Sequence, residues 1–322
     1  MYYPYLAGLL PEPRQKTARK TALGALPARF RRTRCLIVGC GDVGMRVVRQ
    51  LPRHVRVLAV TTDATRLPEW RALGIQGVVA NLDHRRGLRR LAGLARYVVH
   101  LAPPPNVGVH DSRTRHLVQA LRRQHSQLRL VYGSTSGVYG NRDGDWLDET
   151  AAVKPTTERA KRRVDAERTL RDWGRTGQAQ ISILRIPGIY ALDREGGTPE
   201  ARLLRATPVL RDEDDSYSNH IHADDLARAC IAALWRAKPQ RVYHCNDDSS
   251  WKMGEYFDQA ADIFGLPRPK RISWQEAQQI LPATLLSFMA ESRRLDNSRI
   301  KRELRLQWRY PTPLQGLQAK TC

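Results

Sequence analysis

The residues whose spacing carries chemistry stand between Cys35 and Leu51, CLIVGCGDVGMRVVRQL, where a short apolar run breaks into Gly39-x-Gly41-x-x-Gly44 and then resumes with apolar residues at helical spacing. Gly39 permits a tight turn, Gly41 lets the main chain approach a pyrophosphate with no Cβ in the way, and Gly44 lets the new helix pack on the strand. That helix, opening at Asp42 and Val43, turns free N–H groups and the positive end of its dipole toward the phosphates. Glycines also end strands for purely structural reasons. A strand before the motif and a helix after it supply the context that dinucleotide binding requires, and Gly39, Gly41, Asp42, Val43 and Gly44 form the expected contact set.

The end of the second apolar run bears on which dinucleotide. An acidic residue there bonds the ribose 2′-hydroxyl and excludes a 2′-phosphate. The sequence gives Thr61-Thr62-Asp63-Ala64-Thr65-Arg66. With threonines at the expected position and Arg66 within reach of a phosphate, NADP is preferred over NAD. If Asp63 turns in, the preference reverses.

The elements that must position these residues follow an alternating pattern. Strands are expected at Val55 to Thr61, Gly77 to Ala80, Tyr97 to Ala102, Leu128 to Tyr132 and Ile181 to Ile186. Helices are expected at Glu69 to Leu73, at Ser112 to Arg123 and from Pro155 to about Trp173. Strands separated by helices imply an α/β fold, a Rossmann-type doubly wound parallel sheet with ligands at the carboxyl ends of the strands.

Composition sets the limits. A chain of 322 residues with 41% apolar residues can bury a large core. No apolar run is long enough to span a bilayer. Cys35, Cys40, Cys230, Cys245 and Cys322 lack metal-ligand or disulfide-framework spacing, so no metal site is expected, and a reducing cytoplasm is the simplest setting. The net charge of +22 raises nucleic-acid binding, but the excess is dispersed, mostly arginine, and free of aromatic interleaving, so nucleic acid is not the expected partner. Residues 1–33, rich in proline and basic residues, read as a mobile tail rather than a targeting peptide.

Several further motifs give the chain a resemblance. They are Asn81-Leu82, VVHLA ending at Ala102, Ser134-Thr135-Ser136-Gly137-Val138-Tyr139-Gly140, Leu184-Arg185-Ile186-Pro187-Gly188-Ile189-Tyr190 and Ile221-His222-Ala223-Asp224-Asp225-Leu226-Ala227. Together they resemble the extended or atypical short-chain dehydrogenase/reductases, grouped with NAD-dependent epimerases and dehydratases. Pro103 to Pro105 and the late ESRRLDNSRI are most similar to the branch labelled YeeZ-like. The resemblance covers nearly everything beyond the tail. It implies a dinucleotide-binding domain at 34–190 and 218–248, and a small substrate-covering domain at 191–217 and 249–322.

In that family a Ser or Thr orients the substrate oxygen, a Tyr exchanges the proton, and a Lys four residues on holds the nicotinamide ribose. Thr135, four before Tyr139, is similar to the Ser/Thr; its alternative role is a strand-end hydroxyl serving local backbone. The Tyr-x-x-x-Lys pair is absent. One register places Arg159 and Arg163 at its positions, and a register shifted by two places Thr157 and Lys161 there. Arginine stays protonated and cannot act as a general base, so Arg163 or Lys161 is left as a ribose-holding candidate or as part of a solvated helix face.

The resemblance also implies that Asn81, in place of the usual Asp, and Leu82 lie beside the adenine. Ala102 and Pro103 close the fourth strand, and Pro187 and Ile189 line the nicotinamide side. Ser218 stands where epimerases of nucleotide sugars carry a diphosphate-gripping Arg, which makes that substrate class doubtful. Asp224 and Asp225 read as caps for a helix from Leu226 to Trp235, with His222 a buried histidine. The reading is a cytoplasmic NAD(P)-binding oxidoreductase or epimerase-like protein with an unknown small-molecule substrate and a degenerate Tyr-x-x-x-Lys site. A dinucleotide sensor or assembly partner without turnover is the alternative. The oligomeric state is open.

Overall fold

The computed structural model describes residues 33–123 and 127–319. The expected tail falls, through residue 32, outside them. The described residues form one compact unit.

Its center is a seven-stranded sheet. The strands are β1 (Arg34–Val38), β2 (Arg56–Thr61), β3 (Gln76–Val79), β4 (Tyr97–His100), β5 (Leu128–Thr135), β6 (Ala179–Ile186) and, late in the chain, β9 (Arg241–His244). In space they run β9-β6-β5-β4-β1-β2-β3, all parallel. The order reverses at β1: the chain leaves it for β2 and β3 on one side and crosses back from β3 to β4 on the other, and this is where an open α/β sheet leaves a ligand crevice. A short parallel pair, β7 (Gly188–Tyr190) and β8 (His220–His222), extends the carboxyl end beyond β6.

Both faces of the sheet are covered, which is why its strands read as continuous apolar runs rather than alternating ones. Successive side chains still point to opposite faces. Cys35 and Ile37 of β1 pack with Val47 of α1 (Asp42–Gln50), Leu226 and Cys230 of α6 (Ala223–Arg236), and Ile300 and Leu304 of α10 (Ser298–Leu304). Leu36 and Val38 pack with Leu117 and Leu121 of α3 (Ser112–Leu121) and Leu170 and Trp173 of α4 (Glu158–Arg175). Two smaller cores lie toward the substrate side. One gathers Val209, Tyr256 and Phe257, and the other gathers Leu210, Ile272 and Met289. They hold α5 (Glu200–Leu204), α7 (Met253–Phe264), α8 (Trp274–Ile280) and α9 (Ala283–Met289).

Helix starts follow their side-chain caps. Asp111 accepts from the Thr114 N–H at α3, and Thr157 from the Ala160 N–H at α4. The helix expected from Leu226 begins three residues earlier, at Ala223, because His222 caps it: its Nδ1 accepts from the Asp224 N–H at 3.2 Å. The two aspartates are bound elsewhere. Asp224 takes an ion pair from Arg46 at 2.7 Å, and Asp225, fully buried, accepts from the N–H groups of Arg309 and Tyr310. Helix α2 (Leu67–Ala72) likewise starts ahead of the expected Glu69, with Pro68 in its first turn.

Candidate cofactor and substrate site

The glycine turn has the geometry its sequence requires. Gly39 adopts φ +90°, and a Cβ there would stand 2.2 Å from the Ala102 nitrogen, so only glycine fits between β1 and the end of β4. A Cβ on Gly44 would lie 2.9 Å from the Gly39 carbonyl oxygen, the closeness with which α1 lies on its own strand. At Gly41 a Cβ would meet nothing within 4 Å. That open side faces a cleft of about 320 Å³ bounded by Gly39, Gly41, Val43, Arg163, Pro187 and Arg194.

No side chain caps the start of α1 at Gly41, which leaves its first N–H groups to a ligand. Asp42 turns aside, accepting from Arg194 at 2.6 Å and from Arg46 at 3.1 Å. Arg46, only 4% exposed, also pairs with Asp193 at 2.5 Å and with Asp224. One guanidinium thus ties α1, the loop after β7 and the start of α6 together around the cleft. This arrangement of close turn, open Gly41 and free helix N-terminus fits a dinucleotide pyrophosphate.

Toward the nucleoside end, the expected residues cluster at the ends of β2, β3 and β4. The buried Thr61 hydroxyl donates to the Asp63 carbonyl. Thr62 is exposed. Asp63 caps a short turn, and bonds from the Thr65 hydroxyl and N–H hold its carboxyl below the usual carboxylate range. Arg66 lies over the Trp70 ring at 4.6 Å and donates to the Cys40 carbonyl at 3.3 Å, so its charge is fixed beside the glycine turn. Asn81 accepts from the Asp83 N–H, and Leu82 is buried under the same turn. Arg113 grips Asp83 at 2.7 Å and the Pro103 carbonyl at 3.2 Å, tying the ends of β3 and β4.

A second, larger cleft of about 500 Å³ adjoins the first, and Thr135, Pro187 and Ile189 belong to the walls of both. Thr135 Oγ1 accepts from the Gly137 N–H at 3.2 Å, so it serves the local backbone and stands at the junction at once. Arg159 lines the larger cleft, its guanidinium 4.2 Å above the Phe288 ring. One turn on, Arg163 lines the smaller cleft, donating to the Gly133 carbonyl at 2.8 Å and the Tyr132 hydroxyl at 3.1 Å. The two arginines share a helix face, as residues four apart do. Lys161 is exposed and lines neither cleft, and Thr157 is the helix cap.

Tyr139 is buried away from both clefts. Its hydroxyl lies 2.5 Å from His244 Nε2 and accepts from Arg185 at 2.6 Å, while Arg185 holds Glu167 at 2.8 Å. Burial pushes this phenol's pKa upward, although Arg185 opposes the shift. Motif reading missed Glu291. A Cβ built on Gly137 would lie 3.6 Å from Thr135 Oγ1 and 3.8 Å from Glu291 Oε2, which places this carboxylate beside the junction. Glu291 pairs with Arg293 at 2.9 Å and is the one carboxylate among the described residues lining the larger cleft. Its signal was the segment ESRRLDNSRI, which spacing alone does not connect to Thr135.

A model of the NAD dependent epimerase/dehydratase family matches residues 35–245. The chain belongs to that family. A nicotinamide dinucleotide is therefore its cofactor class. No curated protein matches the chain. Among solved structures, a conserved protein of unknown function from Silicibacter pomeroyi DSS is 24% identical with TM-score 0.70, covering 89% of this chain and 97% of its own. UDP-glucose 4-epimerase from Thermotoga maritima, solved with UDP-glucose, is 18% identical with TM-score 0.72, covering 89% and 96%. A dTDP-glucose 4,6-dehydratase from Streptomyces venezuelae, solved with NAD bound, is 22% identical with TM-score 0.70, covering 89% and 95%. At these identities the structures share the fold.

Within this epimerase/dehydratase framework, Ser218 lines the larger cleft and bonds the Trp251 carbonyl at 3.4 Å. His222 packs its ring 3.9 Å from Tyr310, and burial lowers its pKa, so it serves as cap and core. No group of His, Cys, Asp and Glu among the described residues is placed to hold a metal, and none of their helices is long and apolar enough to cross a membrane.

Proposed function

We propose that this epimerase/dehydratase family member is an NADP-preferring oxidoreductase or epimerase acting on a small molecule, with proton transfer moved from the family's tyrosine to Glu291. The observation that carries the reading is the meeting of the two clefts at Thr135, Pro187 and Ile189. A group held along the smaller cleft ends where a substrate in the larger one begins.

The fit of the dinucleotide rests on the open Gly41 and the uncapped start of α1. When bound, it supplies or accepts a hydride. The chain's own residues do the rest. Thr135 Oγ1, fixed by the Gly137 N–H, presents a hydroxyl to a substrate oxygen. Arg163, anchored on Gly133, keeps a positive charge at the junction and holds no proton that it can give up. Glu291, beside Thr135, can accept a proton from a substrate hydroxyl and return it in the reverse direction. The preference for NADP is supported by Arg66 at the glycine turn and by Asp63 being engaged with Thr65.

A second reading, a dinucleotide sensor without turnover, is favored by one observation: Arg159, which one register sets at the family's tyrosine, is stacked on Phe288 and offers no proton acceptor. Titration with NADPH and NADH, followed by absorbance at the reduced nicotinamide across a panel of carbonyl compounds, separates them. Turnover that falls in Glu291→Gln supports the enzyme. Saturable binding with no turnover on any compound supports the sensor.

A further inference from the structure

We propose that the larger cleft selects a carboxylate-bearing substrate, with Arg202 as its counter-ion and Tyr256 and His220 as flanking polar contacts; this rests on the oxidoreductase reading of the same cleft.

The buried arginines of this chain set the comparison. Arg46 holds Asp224 at 2.7 Å, Arg185 holds Glu167 at 2.8 Å, Arg293 holds Glu291 at 2.9 Å, and Arg162 lies 3.7 Å from Glu158. Each charge taken out of water has a carboxylate, as the cost of burying an ion requires. Arg202, half-buried on α5, departs from that pattern. Its Nε and Nη2 are buried without a partner, its guanidinium lies 4.2 Å above the Phe257 ring, and no carboxylate among the described residues pairs with it. Burial, with Arg205 nearby, disfavors its charged form. It lines the larger cleft, so a bound anion is the partner the fold leaves room for.

Two neighbors point to the same ligand. Tyr256 is 7% exposed, and its hydroxyl makes no hydrogen bond among the described residues. His220 is 8% exposed, its ring stacks on Tyr256 at 4.2 Å, and its Nδ1 is buried without a partner. Burial pushes the His220 pKa down to about 4, so it is neutral at pH 7. Of the other charges lining this cleft, Arg293 is paired with Glu291 and Arg159 lies over Phe288, so the charge beside this neutral phenol and neutral imidazole is that of Arg202, which matches a monoanion such as a carboxylate better than a phosphate dianion. The adjoining wall, with Met253, Leu285 and Phe288, is apolar.

Phenylpyruvate, which joins an aromatic ring to a 2-oxo acid, is a suitable probe. Its binding to the full chain, read by calorimetry, is compared with that of its uncharged amide and of phenyl phosphate. The acid is expected to bind at least tenfold more tightly than either. Arg202→Met is expected to erase that difference and Arg202→Lys to restore part of it, with unfolding midpoint and NADPH affinity unchanged. Equal affinity for acid and amide, tighter binding of phenyl phosphate, or full discrimination retained in Arg202→Met overturns the subsite. Failure of the parent chain to bind NADPH overturns the proposed function instead, while the acid–amide comparison still decides the subsite.

Discussion

Arg163 sits with its Nη1 2.8 Å from the Gly133 carbonyl oxygen, so a guanidinium, not an ammonium, is fastened to the end of β5 one turn after Arg159. The same atom reaches the Tyr132 hydroxyl at 3.1 Å. These bonds make Arg163 a fixed part of the junction. Arg163→Met is expected to weaken dinucleotide affinity about tenfold, a loss within the range for a charge-assisted hydrogen bond. Fluorescence titration with NADPH checks this, and unchanged affinity would return Arg163 to a purely structural role.

The glycine turn separates folding from binding. Gly39→Ala puts a Cβ 2.2 Å from the Ala102 nitrogen at φ +90°, so it is expected to destabilize the chain by at least about 1–2 kcal/mol from the backbone conformation alone. At Gly41 a Cβ meets nothing within 4 Å, so Gly41→Val is expected to fold normally while blocking the phosphates. Urea unfolding and NADPH titration on both variants test the contrast.

The glycine turn and the alternation of strands and helices in a parallel sheet were legible because each is local or recurs at a fixed spacing, whereas the order of the strands came from the structure. The placing of Glu291 and Arg202 on the larger cleft and of Arg194 on the smaller one was not legible. These residues come from loops and short helices whose positions depend on how the late chain folds back over β5 and β6. His222 as a helix cap was hidden for a related reason: Asp224 and Asp225 are better caps by type, but Arg46 and the Arg309 and Tyr310 N–H groups engage them. The shared face of Arg159 and Arg163 became readable once Thr157 was fixed as the cap of α4.

The proposed preference for NADP rests on Arg66. Arg66→Gln is expected to weaken NADPH binding by about tenfold, as loss of an ionic partner to a phosphate does, and to leave NADH within about twofold. Equal loss for both dinucleotides would show that Arg66 supports the turn through Trp70 rather than meeting a phosphate.

Three buried histidines make acid destabilizing. Burial pushes His100 down to about 3, and His220 and His244 to about 4. Each is neutral in the fold, while in the unfolded chain it takes up a proton below about 6.5. The unfolded state thus binds more protons, so each contributes stability that is present above about pH 6.5 and is lost as pH falls toward its folded pKa, by about 1.4 kcal/mol per pH unit. Urea unfolding of the parent and of His100→Gln between pH 7 and 5 should give a shallower dependence for the variant. Parallel curves would contradict the assignment.

Proton transfer at Glu291 predicts a division of effects. Glu291→Gln keeps the shape of the side chain and should leave dinucleotide affinity unchanged, while turnover falls by about 10²–10⁴-fold, the usual contribution of a positioned acid or base. A proportional fall in both would indicate that Glu291 only props Arg293.

Whether the cleft between Gly41 and Thr135 holds a nicotinamide dinucleotide is decided by equilibrium titration of the parent chain and of Gly41→Val with NADPH. Saturable binding in the parent, lost in a Gly41→Val protein that unfolds at the parent's urea midpoint, is the result expected; no saturable binding of NADPH by the parent, or equal binding by both proteins, would contradict it.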